Sequence, residues 1–198
     1  MPITADQVKQ LRDMTGAGMM ECKKALADTG GDLERAVDAL RKRGAANAEK
    51  RSGRAAQEGR VDSYIHPGNR VGVLIEINCE TDFVARTDEF GELVRNIAMQ
   101  AAAAGAEYVR REEVPAERVG RERDVLAGAA ELKGKPAAIL DKIVTGKLDK
   151  FFAGVCLLEQ AYIRDDKRTV ADIVQEAATK TGENIVVRRF VRFRLGQD

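Results

Sequence analysis

A change of hydrophobic period at residues 78–86 constrains the fold of this chain more than any other feature. Before it, β-branched apolar residues recur at every second position from Val71 to Ile77, which is the period of a half-buried strand. After it, from Phe90 onward, apolar residues recur at intervals of three and four, as on one face of a helix. Thr87 is followed by two acidic residues, a pattern typical of a helix start. We therefore predict a strand, a short turn that carries Phe83, and a helix.

The pattern alone leaves two interpretations of Phe83 open. A short turn between rigid elements is a common location for a functional group. A bulky apolar residue just before a helix also often packs against its first turn as a hydrophobic staple. Because most apolar side chains near element ends contribute to packing, the pattern by itself favours the staple.

Composition limits the class of protein. The chain has 198 residues, enough for one domain or two small ones. Lysine and arginine number 33 against 32 acidic residues, which argues against a general affinity for nucleic-acid backbone. No run is apolar enough to cross a bilayer, and the N-terminus lacks the regions of a signal peptide, so we expect no membrane partner. The three scattered cysteines indicate reduced thiols in a cytoplasmic protein.

Residues 1–45 are predicted to form a compact unit of three helices. Thr4 has the spacing of a capping box at the start of the first helix, and a second helix begins near Met19. Gly44 is expected to stop the third. Residues 46–58 permit a helix but carry no apolar stripe, so we predict a linker helix there.

The remainder, residues 59–198, is predicted to be an α+β core. Three antiparallel strands are expected at about residues 59–66, 70–79 and 185–195, packed with helices. A helical insertion is expected over residues 105–182. A three-stranded sheet has exposed edges that must be covered, so a homodimer through the sheet is one expected assembly.

The second helix offers a candidate docking surface. Met19 and Met20 are about 100° apart on a helix, so they cannot both face the bundle interior. One of them is expected at the bundle edge beside Leu11, and methionine adapts well to binding surfaces. Ordinary exposed apolar surface is the alternative, and the pattern alone favours it. A helix-turn-helix reader of DNA fits poorly, because residues 19–25 lack several base-reading polar side chains.

Self-contained chemistry is nearly absent from the sequence. A Cys-His pair between Cys79 and His66 is conceivable, but Cys79 continues an apolar alternation and is better interpreted as a small buried hydrophobe. Neither zinc-ligand spacing nor a phosphate-binding glycine loop is present. We therefore expect no metal, no cofactor and no enzymatic reaction, and infer that the protein acts by contact.

Three segments, residues 15–26, 78–86 and 182–189, resemble signatures of the bacterial elongation factor Ts family. The similarity extends in order from Thr4 to Leu195 and matches the short form, which has one copy of the sheet module. The resemblance implies that the three-helix unit is a ubiquitin-associated-like domain. It also implies a guanine-nucleotide exchange factor for elongation factor Tu, which would bind that GTPase in its GDP-bound and nucleotide-free states, without direct contact to nucleic acid.

The resemblance also assigns roles to residues. The positions that match the family's apolar docking residues are Leu11, Met19 and Met20. The stretch that matches the segment credited with dislodging the partner's magnesium ion is Thr81, Asp82, Phe83 and Val84. Phe83 would then be a wedge between partner helices. The alternative function is a non-catalytic adaptor, which would bind its partner and leave nucleotide release unchanged.

Overall fold

The computed structural model describes residues 3–128 and 136–197, and it confirms the predicted α+β class. The helices are α1 (Ala5–Thr15), α2 (Met19–Asp28), α3 (Leu33–Arg51), α4 (Asp82–Ala85), α5 (Asp88–Ala104), α6 (Ala116–Ala127), α7 (Ala137–Val155) and α8 (Val170–Thr181). The strands are β1 (Glu58–Ile65), β2 (Val71–Cys79), β3 (Ala161–Tyr162), β4 (Asp165–Thr169) and β5 (Val186–Arg194). Short 3-10 turns lie at Arg111–Glu113 and Leu157–Glu159.

Strands β1, β2 and β5 form the expected three-stranded antiparallel sheet, in that spatial order. Each begins and ends within one residue of its predicted bounds. The insertion predicted to be helical over residues 105–182 contains α6, α7 and α8, and also an element that was not predicted, because β3 and β4 pair there as a second, antiparallel sheet. Both strands are short and β4 is almost wholly polar, so neither shows the alternation on which the prediction depended.

The N-terminal helices form the predicted bundle. Thr4 and Gln7 make a reciprocal capping box at the start of α1. Gly16, with φ 66°, accepts the left-handed conformation that ends this helix. The buried core of the bundle consists of Val8, Leu11, Ala17, Cys22, Ala25, Leu26, Ala36 and Leu40.

Helix α3 corrects the predicted linker. It continues past Gly44 to Arg51, and residues 52–57 form turns and irregular backbone instead of a separate helix. Gly44 is buried, and the side-chain amide of Gln175 donates to its carbonyl oxygen at 2.8 Å. A Cβ at this position would lie 3.3 Å from Thr179 Oγ1. The glycine therefore permits the close approach of α8 and does not end the helix.

The chain forms two compact units. The first contains residues up to Val61, Glu76–Val94 and Asp172–Val187, and the second contains Asp62–Ile75, Arg95–Ala171 and the chain from Arg188 onward. Every predicted site residue belongs to the first unit. The boundary predicted at residue 45 stays a prediction.

The two elements that frame residue 83 have the burial that their periods predict. On β2, Val73, Ile75 and Ile77 are buried while Leu74 between them is exposed. On α5, Phe90, Leu93, Val94, Ile97, Ala98 and Ala101 are buried. Fixed elements thus precede and follow the turn. Within residues 3–128 and 136–197, none of the helices has the length and apolar character needed to cross a membrane.

Candidate functional site

The segment between β2 and α5 presents Phe83 to solvent. We call residues 81–86 the Phe83 turn. It contains the single-turn helix α4, whose N-cap Thr81 accepts a hydrogen bond from the backbone N–H of Val84 at 3.4 Å. The Phe83 side chain is 80% exposed. This exposure excludes the hydrophobic-staple interpretation, because a staple would bury the ring against the following helix.

A carboxylate from the C-terminal part of the chain holds the start of the Phe83 turn. Glu183 Oε2 accepts hydrogen bonds from the backbone N–H groups of Glu80, at 2.9 Å, and Thr81, at 3.1 Å. Its other oxygen accepts from the Thr81 hydroxyl at 2.6 Å. Two backbone donors and one side-chain donor therefore converge on a single carboxylate.

Arg60 and Thr87 hold the other end of the turn. The guanidinium of Arg60 donates to the carbonyl oxygen of Ala85 and, at 3.1 Å, to that of Thr87. The Thr87 hydroxyl donates to the Val84 carbonyl at 2.9 Å and accepts from the Phe90 N–H at 3.2 Å. The backbone beside Phe83 is thus anchored on both sides, although the ring itself is free of such packing.

Asp82 lies next to Phe83 on the same turn. Its carboxylate pairs with Arg86 at 2.9 Å; the Arg86 side chain is well exposed and the Asp82 side chain is partly exposed. An exposed pair of this kind contributes little to stability and exchanges readily for other partners. Thr81 is exposed, whereas Asp82 and Val84 are each half-buried, so all three present some surface to an incoming partner.

The predicted docking residues differ in exposure. Met19 is 51% and Met20 is 76% exposed, so both stand outside the bundle at the start of α2. Leu11 has no exposed surface and lies in the bundle core. The expectation that Leu11 contacts the partner is corrected, because a side chain at the centre of a three-helix core supports the surface from beneath. We call Met19 and Met20 the methionine patch.

The structure supports a packing role for Cys79 over a catalytic one. Cys79 is fully buried, and its thiol donates to the Thr81 carbonyl oxygen at 3.2 Å. Burial raises the pKa of the Cys79 thiol, and the negative charge of Glu183 adds to this effect, so the reactive thiolate is disfavoured. His66 instead bonds through Nδ1 to the Tyr64 hydroxyl at 3.1 Å. Among the described residues, no group of three or more histidine, cysteine or acidic side chains is arranged to hold a metal ion.

Sequence reasoning missed the anchors of the turn. Glu183 is 102 residues from Thr81 and Arg60 is 25 residues from Ala85, so no local spacing connects the anchors with the turn. Glu183 lies within a segment that carries the family resemblance, but nothing in that segment indicates what its carboxylate contacts.

An exposed aromatic ring on an anchored turn, together with an exposed methionine patch, defines a protein that acts by contact with another macromolecule. Comparison with known proteins gives the family. The family described as Elongation factor TS matches residues 8–197. The chain belongs to the elongation factor Ts family, whose members are the nucleotide exchange factors of elongation factor Tu in translation elongation and are not enzymes.

Individual relatives are similar over almost their whole length. Elongation factor Ts of Heliobacterium modesticaldum is 57% identical over 195 residues, which cover 98% of this chain and 91% of the relative. The protein of the same name from Carboxydothermus hydrogenoformans is 56% identical, with 98% and 90% covered. That of Geobacter sulfurreducens is 55% identical over 197 residues, with 100% and 91% covered.

Proposed function

We propose that this chain accelerates GDP release from elongation factor Tu by inserting Phe83 beside the partner's magnesium and phosphate site. The observation that carries the proposal is the contrast at the Phe83 turn. The ring is 80% exposed, yet the backbone on both sides of it is hydrogen bonded. Because the backbone is already held, little backbone freedom is lost when the side chain enters a partner.

The energetics follow from linkage. A factor that weakens nucleotide binding must itself be bound more weakly in the presence of nucleotide, and by the same ratio. A hundredfold effect corresponds to about 2.7 kcal/mol of coupling. Burial of a phenylalanine side chain provides roughly 1.5–3 kcal/mol. Bound magnesium neutralises phosphate charge, so its displacement weakens the hold on GDP further.

We assign docking to the methionine patch. Met19 and Met20 are exposed at the start of α2, and methionine side chains adapt to an apolar partner surface. Docking by this patch and wedging by Phe83 would then be separate tasks. Thr81, Asp82 and Val84 would complete the surface around the wedge. Because the family acts in translation elongation, we place the chain in the cytoplasm, where its three buried free cysteines stay reduced.

The proposal is tested by following fluorescent GDP released from elongation factor Tu at increasing concentrations of this chain. Catalytic acceleration is expected at substoichiometric concentration. The chain should also bind nucleotide-free elongation factor Tu more tightly than the GDP-bound form, by the ratio in which it weakens GDP binding. Tight binding with an unchanged release rate would support the adaptor and contradict the exchange mechanism.

We further propose that a second copy of the chain covers an apolar surface of the sheet. Ile65 on β1, Leu74 on β2 and Phe193 on β5 are all exposed large apolar side chains. A sheet with exposed strand edges and apolar side chains is typically covered or paired. We expect the parent chain to sediment as a dimer and Phe193→Asp as a monomer, with Val125→Asp on α6 as the control. A parent chain that sediments as a monomer at micromolar concentration would contradict this assembly.

A further inference from the structure

The start of the Phe83 turn depends on one distant side chain. Glu183 is 102 residues from Thr81, and its carboxylate accepts from the Thr81 backbone N–H and hydroxyl at the start of the turn and from the Glu80 N–H directly before it. Hydrogen bonds to an ionised carboxylate are shorter and stronger than bonds between neutral groups. No other side chain is shown accepting these two backbone donors in the described parts of the chain.

The contact is reciprocal, so its geometry is well defined. While Glu183 accepts from the backbone of Glu80, the carboxylate of Glu80 accepts from the backbone N–H of Asn184 at 2.6 Å. Arg54 pairs with Glu80 at 3.5 Å, and the Asn184 side chain donates to the Arg54 carbonyl oxygen at 2.9 Å. Gly182, with φ 76°, turns the chain out of α8 directly before Glu183. Residues 80–81 and residues 183–184 are therefore joined by hydrogen bonds in both directions.

The direction of the Phe83 ring must come from its backbone. With 80% of its side chain exposed, Phe83 has little packing of its own to orient it. The backbone of α4 is fixed in turn by Thr81, whose hydroxyl donates to Glu183 and also accepts from Val84. A continuous series of hydrogen bonds thus runs from Glu183 through Thr81 to the helical turn that carries the ring.

We propose that Glu183 is a positioning residue for nucleotide release, which fixes the N-cap Thr81 and thereby the direction of Phe83. The inference rests on the proposed role of Phe83 and extends it to a residue that need not touch the partner. Displacement of a reacting group by about 1 Å costs catalysts up to about a hundredfold in rate, so loss of this anchor has a measurable effect.

The test separates docking from release. For Glu183→Ala, we expect the maximal rate of GDP release, measured at a saturating concentration of the variant, to fall about tenfold. The concentration that gives half-maximal release should stay within about twofold of the parent, because the methionine patch is unaltered. Glu183→Gln should retain most of the rate, since its amide oxygen can accept both backbone N–H groups while its amide nitrogen donates to the Thr81 oxygen.

Glu176→Ala is the matched control. Glu176 lies in the second half of α8, and its carboxylate pairs with Lys180 of the same helix at 2.6 Å. We expect its maximal release rate to equal that of the parent. Hydrogen exchange should show faster exchange of the Glu80 and Thr81 amides in Glu183→Ala alone, whether or not the partner is present. Should Glu183→Ala fail to fold, Thr81→Val, which removes the hydroxyl while retaining the shape, takes its place and should also lower the maximal rate.

A double variant decides between a positioning role and general support. If Glu183 acts through the ring, the variant that carries both Phe83→Ala and Glu183→Ala should give the same maximal rate of GDP release from elongation factor Tu as Phe83→Ala alone. A further tenfold loss in the double variant would overturn the inference, as would a parent-like maximal rate in Glu183→Ala beside a slow Phe83→Ala. A parent-like rate in Phe83→Ala would instead overturn the proposed function, and the inference with it.

Discussion

Replacement of Phe83 by alanine should remove exchange activity and leave the fold intact. Because 80% of the side chain is exposed, its truncation deletes little packing, and we expect the free energy of unfolding to change by less than about 0.5 kcal/mol. The same exposed fraction becomes available for burial in a partner. Four fifths of about 1.5–3 kcal/mol is about 1.2–2.4 kcal/mol, which corresponds to roughly an 8- to 60-fold loss in the maximal release rate.

The assay is stopped-flow release of fluorescent GDP from elongation factor Tu across a concentration series, together with urea unfolding of the free chain. Val125→Ala on α6 is the matched control, since Val125 is another exposed apolar side chain without an assigned role. A Phe83→Ala chain with the parental maximal rate would refute the wedge. A chain whose unfolding midpoint fell sharply would refute the premise that the ring contributes nothing to its own core.

Two further predictions concern docking and thiol burial. Met19→Ala and Met20→Ala should each raise the concentration for half-maximal release about fivefold, from about 1 kcal/mol of lost burial, while the maximal rate stays unchanged. If the variant that carries both Met19→Ala and Met20→Ala kept the parental half-maximal concentration, the methionine patch would not be a docking surface. Burial raises the pKa of Cys156 to about 11, against 9.0 for an ordinary thiol. Between these pH values the unfolded thiol ionises while the folded one keeps its proton, so stability falls as pH rises, by about 2 kcal/mol at pH 10.5. The drop in urea midpoint between pH 8 and pH 10.5 should therefore be smaller in Cys156→Ala, and an equal drop in both chains would contradict this.

Local patterns predicted the elements that frame the site. The alternation that ends at Cys79 and the helical spacing that begins at Phe90 are properties of consecutive residues, and both elements lie where these patterns place them. For the ring between them, the pattern favoured a buried staple, and this preference was wrong. An exposed Phe83 and a stapled one have the same neighbours in sequence, and only the folded chain distinguishes them.

Long-range contacts account for what the sequence did not predict. Gly44 has the local character of a helix end, but its missing side chain instead accommodates Thr179, and α3 continues. Leu11 was grouped with the docking residues because its position matches the family's apolar contact positions, whereas the folded chain encloses it among three helices. The contact between Glu183 and Thr81 spans 102 residues and depends on tertiary structure throughout.

The central claim is that an exposed, anchored phenylalanine acts on the magnesium and phosphate site of another protein. Measuring GDP release from elongation factor Tu with saturating parent chain, in magnesium and in excess chelator, tests it most directly. Since chelation already removes the ion that the wedge would displace, the acceleration by the parent chain should shrink and approach that of Phe83→Ala. An acceleration of equal size with and without magnesium would contradict the claim.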